Sequence, residues 1–137
     1  METSARVVIA LDVGLKRIGV AKSILGIPVC LDPIFRKNRN QAANAVRALV
    51  MEAQPSVLVV GIPEDAVLKR RILHFVSLLQ LEGLPIVFLD ESFSSQEALE
   101  RLTDKTMRKK AHSRDGSLDS LAALVILERY LMRQKQH

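Results

Sequence analysis

VVIALDVGLKRIGVAKS, residues 7–23, reads as a buried strand, a tight turn and a second strand. The run Val7 to Leu11 is nearly all apolar and largely β-branched, as a central strand covered on both faces requires. Asp12 ends it, and Gly14 follows where a turn can use positive φ. Lys16 and Arg17 lead into Ile18, Gly19, Val20 and Ala21, close enough to pair antiparallel with the first run. One carboxylate therefore stands at the carboxyl end of the most buried strand. That is a poor place for a solvated charge and a good place for one that holds a metal ion. The ordinary alternative is a turn aspartate bonded to its own backbone. The local sequence leaves both open.

Composition sets the frame. A chain of 137 residues predicts one domain, 1–137, large enough to bury a proper core. The 48% hydrophobic and 26% charged fractions suit a soluble globular chain. No apolar run approaches the ~20 residues of a membrane helix. METSARVV, residues 1–8, lacks a signal-peptide layout. The single cysteine, Cys30, rules out a disulfide framework or a Cys-based metal site within one chain. These features predict a cytoplasmic protein with no membrane partner. Lys and Arg outnumber Asp and Glu by 20 to 15. A basic balance favours polyanionic partners, nucleic acid first. With four Phe, one Tyr and no Trp, a base-stacking platform is disfavoured, so contacts should run mainly through phosphates.

After the first hairpin, 27-IPVCLDPIFRK-37 suggests a third strand, with Pro33 pointing to an edge position or a bulge. Asn38 and Asn40 can start a helix. Ala42, Ala43, Val46, Leu49, Val50 and Ala53 recur at helical spacing, and Pro55 stops them. The run 56-SVLVVGI-62 is another buried strand. Glu64 to Glu82 predicts a second helix with a stripe of Leu68, Ile72, Phe75, Val76 and Leu79, capped by Gly83. The strand 85-PIVFLD-90 ends in two acids, Asp90 and Glu91. Ser94 and Glu97 form a capping box for a helix from about Ser95 to Thr103. Asp104 to Ser117 is polar and basic and reads as a loop. Leu118 to Met132 is a last helix, apolar on most sides. The order β β β α β α β α α predicts an α/β fold. Its mixed five-stranded sheet has a three-strand antiparallel meander, two parallel strands and helices on both faces.

Three acids stand in apolar or strand-terminal surroundings: Asp12, Glu91 and Asp119. If the first and last strands are parallel neighbours, Asp12 and Glu91 emerge at one sheet edge. Asp119 falls in the first turn of a helix, where the helix dipole alone favours an acid. Its small neighbours would also admit a metal and a phosphate. Hard divalent cations take a few carboxylates plus substrate phosphate. As spacing alone, three scattered acids carry little.

The segments IALDVGLKRIGVAKS, VLVVGIP, IVFLDESFSSQEA and SLDSLAALVILERYL, in that order, resemble the four motifs of the YqgF/RuvX family. The similarity runs from about Arg6 to Leu131. It implies a ribonuclease-H-like fold related to Holliday junction resolvases. It implies a metal site on Asp12, Glu91 and Asp119, with Mg²⁺ or Mn²⁺, two ions, as cofactor. Asp12 would bridge the ions while Glu91 and Asp119 each complete one. The family association implies cleavage of structured RNA in 5′ maturation of the small-subunit ribosomal RNA precursor. Branched DNA is the second substrate class. Lys16, Arg17, Arg108, Lys109, Lys110 and Arg114 are placed to contact phosphates. Two departures matter. The family commonly has arginine after the glutamate of its third motif, and this chain has Ser92. A glycine-bearing loop usually follows the second motif, and here Glu64 and Asp65 follow Pro63 at once, so contacts from that loop are missing or pass to Lys69–Arg71.

Two other readings compete. The first motif is also similar to the phosphate-binding hairpin of actin-like kinases, but those need two such domains around a nucleotide. A non-catalytic nucleic-acid-binding module is disfavoured because all three acids are present. Nothing in the sequence decides between monomer and homodimer.

Overall fold

The computed structural model describes residues 6–90 and 117–135. Five strands form one mixed sheet: β1 (Val7–Val13), β2 (Arg17–Ile24), β3 (Ile27–Phe35), β4 (Val57–Ile62) and β5 (Ile86–Asp90). The helices are α1 (Arg39–Ala53), α2 (Ala66–Leu79) and α3 (Ser117–Lys135). The strand order is β3-β2-β1-β4-β5. β1–β2 and β2–β3 pair antiparallel, while β1–β4 and β4–β5 pair parallel. The expected meander plus two parallel strands is the observed sheet. The helix expected at Ser95–Thr103, its Ser94 cap and the basic loop lie outside the described residues.

β1 is central, and Val8, Ile9, Ala10 and Leu11 are at most 2% exposed. Alternation along it serves two cores. Ile9, Leu11 and Val13 pack with Val46 of α1 and Ile72, Phe75 and Leu79 of α2. Val8 and Ala10 face Leu121, Leu124 and Leu127 of α3. Helices thus cover both faces, α1 and α2 on one and α3 on the other.

Asn38 caps α1 by accepting from the Gln41 backbone N–H at 2.8 Å. Gln54, in the left-handed region at φ 50°, ends that helix just before Pro55. α2 is shorter than the expected Glu64–Glu82. The Asp65 carboxylate accepts from Val67 and Leu68 N–H, so the helix begins at Ala66. It ends because Gln80 itself takes φ 48°, and Gly83 (φ 79°) serves a separate turn rather than the cap. Arg47 of α1 donates to the carbonyl oxygens of Leu78 and Leu79, satisfying the free end of α2. Leu68, expected in the buried stripe of α2, is 38% exposed instead.

The two predictions for Pro33 both hold. β3 is an edge strand, and its register shifts between Ile18 and Val20 of β2. Asp32 and Pro33 together oppose Gly19, which makes a bulge.

The condition set for Asp12 and Glu91 is met only in part. β1 and β5 are not neighbours, because β4 lies between them. Both are parallel to β4, so the carboxyl ends of all three still emerge at one edge. The strands carrying Asp12 and Asp90 are then two spacings apart, about 10 Å.

Candidate active site at the carboxyl edge of the parallel strands

Asp12 is the sixth residue of β1 and is half-buried. It shares parity with Val8 and Ala10, so its side chain lies on the α3 face of the sheet. Its cross-strand partner on β2 is Gly19. Glycine puts no side chain beside the carboxylate, and on its far side Gly19 meets the Asp32–Pro33 bulge.

That bulge receives the start of α3. Ser120 is fully buried, and its hydroxyl accepts from Val20 N–H at 3.1 Å and donates to the Leu31 carbonyl at 2.6 Å. The bulge interrupts the β2–β3 ladder, and one hydroxyl restores partners to both strands. Cys30, half-buried beside it, places its thiol 3.7 Å from the Ser120 carbonyl. The anchor sits one residue from Gly19 on β2. Asp119 directly precedes Ser120 in the first turn of α3, one residue from this anchor. Sequence reading treated Ser120 only as a small neighbour. A serine at the start of a helix that is otherwise apolar from Leu121 to Leu127 is the signal that could have marked it.

α3 is held at a second point. It packs across β2, β3, β1 and β4, and Arg129 donates to the Asp90 carbonyl oxygen at 2.9 Å. The end of β5, from which the chain continues into Glu91, is therefore tied to the helix that carries Asp119. Glu91 itself lies outside the described residues, as do Arg108, Lys109, Lys110 and Arg114. Among the described residues no group of three His, Cys, Asp or Glu side chains gathers into a metal site. The structure places Asp12 and the backbone at position 119, and the complete triad is not contained in the described set.

The turn after Asp12 is tightly built. Gly14 N–H donates to the Arg17 carbonyl at 2.9 Å. A Cβ on Gly14 would stand 2.7 Å from that same oxygen. Gly14 is required by this close approach, not by the positive φ expected from sequence, which it does not adopt. Arg36 Nη1 donates to the Gly14 carbonyl at 2.6 Å, and its guanidinium lies 4.9 Å from the Phe75 ring centroid. Burial, and then the neighbouring Arg39 charge, lower the Arg36 pKa from its ordinary value. Lys16 and Arg17 are exposed in this turn near Asp12, and Arg17 stacks 5.5 Å from the Phe35 ring.

Comparison with known proteins agrees with this architecture. The model of the family described as "RuvX: Holliday junction resolvase" matches residues 6–133. A protein of Campylobacter jejuni subsp. doylei named "Putative pre-16S rRNA nuclease" is 46% identical over 127 residues, covering 89% of this chain and 94% of its own. One of the same name from Helicobacter hepaticus is 42% identical over 134 residues, covering 93% and 96%. Among solved structures, Thermus thermophilus RuvC with a Holliday junction substrate superposes with a TM-score of 0.62 at 12% identity, covering 96% of each chain. The fowlpox virus Holliday junction resolvase gives 0.64 at 12% identity, covering 93% of this chain and 99% of its own. At such identities these two likenesses show the fold: a resolvase-like, ribonuclease-H-like sheet.

Proposed function

This chain belongs to the RuvX family and is a nuclease, and we propose that it cuts structured RNA in 5′ maturation of the small-subunit ribosomal RNA precursor. The naming of relatives at 42–46% identity supports the substrate class. One structural observation supports the site assignment. Asp12, the penultimate residue of the central strand, lies on the α3 face opposite Gly19, one strand position from the Val20 N–H that Ser120 of α3 holds.

We assign Asp12, Glu91 and Asp119 as the catalytic acids and metal ligands. The donor chemistry fits, since carboxylate oxygens are what Mg²⁺ or Mn²⁺ take. Gly19, opposite Asp12, contributes no side chain of its own there. Two bound ions would supply neutralisation of the scissile phosphate and a more acidic attacking water. The chain's own contribution is placement. The sheet edge fixes Asp12, and Ser120 and Arg129 fix the helix between Asp119 and the end of β5. Lys16 and Arg17 hold backbone phosphates beside Asp12, and Arg108, Lys109, Lys110 and Arg114 extend that hold. Such a substrate implies a cytoplasmic site of action. No helix among the described residues is long and apolar enough to cross a membrane.

The resolvase-like fold favours a second reading, cleavage of branched DNA. One experiment separates the two. Wild-type protein and Asp12→Asn are incubated with a precursor RNA carrying its 5′ leader and with a four-way DNA junction, in Mn²⁺ and in chelator. The RNA should be cut by wild type, only with metal, and not by Asp12→Asn. Preferential cutting of the junction would move the assignment to DNA. Equal rates for wild type and Asp12→Asn would remove Asp12 from the site.

A further inference from the structure

On the face of the sheet opposite α3, a cleft of about 580 Å³ opens at the same carboxyl edge. That size lies within the range of small-ligand sites, about 300–1,000 Å³. Three separate elements supply its cations: Arg36 from the end of β3, Arg39 from the first residue of α1, and Arg71 from α2. His74 of α2 joins them, its Nε2 lying 3.2 Å from Arg39 Nη1, which can only donate. Leu68 gives the cleft exposed apolar surface, while Phe75 lies buried under the Arg36 guanidinium. Among the described residues lining it, Asp12 is the only acidic one, and its side chain lies toward the α3 face.

Apart from Arg36, the cations there are not explained by helix capping or by ion pairing. Arg39 opens α1, and neither α1 nor α2 has an acidic residue in its first turn. A helix N-terminus favours anions and disfavours cations, so Arg39 does not serve helix stability. Burial first, and then the like charge of Arg39, lowers the Arg36 pKa, so the two guanidiniums stand close enough to repel. Arg36 has a structural task, holding the Gly14 carbonyl. Arg39 and Arg71 are exposed, and no carboxylate among the described residues pairs with either. A phosphate would relieve this repulsion, and arginine forks suit its oxygens. The departure noted after Pro63 bears on the same place. α2 starts three residues beyond Pro63, and this brings Arg71 to the cleft.

We propose that this cleft binds a nucleotide phosphate ester, with Arg39 and Arg71 on the phosphate and the base or sugar against Leu68. The source is either one nucleotide of the substrate strand, passing over the edge from Asp12, or a free mononucleotide. The strand version rests on the nuclease reading above, and the binding measurements do not.

The test uses the full chain, Arg39→Gln/Arg71→Gln, and Arg39→Lys/Arg71→Lys as the charge-retaining control. Both positions are exposed, so melting temperatures should match wild type within a degree or two. Two affinities are measured in chelator, where no cleavage intervenes: for 5′-AMP at low salt by calorimetry, and for precursor RNA across a salt series. If the strand occupies the cleft, the glutamine variant binds RNA about tenfold more weakly. Its log K against log salt slope falls by roughly 0.7–1.4, the share of one or two single-strand phosphates. The lysine variant should recover part of the affinity and most of the slope. A loss confined to 5′-AMP assigns the cleft to free nucleotide. Unchanged affinity for both ligands overturns the proposal. Asp12→Asn, run alongside, should bind both ligands at least as well as wild type. A protein that never cuts RNA, yet loses binding in the glutamine variant, would sink the RNA-cleavage reading and leave the cleft standing.

Discussion

Replacing Ser120 with alanine removes one oxygen from a side chain with no solvent exposure. Two backbone groups lose their partner, Val20 N–H at 3.1 Å and Leu31 C=O at 2.6 Å. Val20 is 1% exposed, so water cannot replace the hydroxyl there, and a buried orphan of this kind costs about 1–3 kcal/mol. Leu31 is half-buried and its carbonyl keeps a second lone pair, so its share is about 1 kcal/mol. The sum is about 2–4 kcal/mol. Unfolding entropy near 2.1 cal/mol/K per residue gives about 0.3 kcal/mol per kelvin for a chain this size. Thermal denaturation should therefore show Ser120→Ala melting roughly 7–14 °C below wild type. The functional consequence is separate. With the anchor gone, the first turn of α3 is no longer tied to β2 beside Gly19, and Asp119 loses its register against Asp12. At a temperature where both proteins are fully folded, metal-dependent RNA cleavage should fall about tenfold or more, since a displacement of ~1 Å can cost a hundredfold. A melting temperature within 2 °C of wild type would refute the hydrogen-bond account. A large loss of stability with wild-type cleavage in the cold would show that the anchor supports the fold and not the site.

Gly14→Ala should force the β1–β2 turn to shift, because its Cβ would meet the Arg17 backbone oxygen at 2.7 Å. We expect lower stability and loss of the Arg36 contact, checked by melting and by RNA affinity. Full retention of both would show that the turn relaxes freely. Asp65→Ala should cost about 0.5–2 kcal/mol through loss of the α2 cap, with cleavage unchanged in the cold. A denaturant midpoint equal to wild type would overturn the cap assignment. Asp119→Asn has two readings with opposite signs in chelator. A ligand crowded by Asp12 and Glu91 predicts a more stable apo protein that gains nothing from Mn²⁺, whereas a mere dipole charge predicts a small loss and a full metal gain. Melting curves with and without Mn²⁺ decide between them.

The strands and helices of the described residues were legible because their signals are local. The β-branched run at residues 7–11, the 3.6-residue period after Asn38, and Pro33 within β3 each act through neighbouring residues. Their boundaries failed at the two ends of α2. Asp65 started α2 late by capturing two N–H groups, and Gln80 ended it early. The acids were legible as residue types at strand and helix ends, and the family motifs tied them together. Their spatial relation was not legible, because it depends on strand order, a property of pairs distant in sequence. β4 between β1 and β5 is such a pairing. So is the bond from Ser120 to a strand 100 residues earlier, which no local pattern encodes. The cleft lined by Arg36, Arg39 and Arg71 is the clearest case. In the sequence these are basic residues in two exposed segments, and only packing α1 against α2 on one face of the sheet sets their charges around one space.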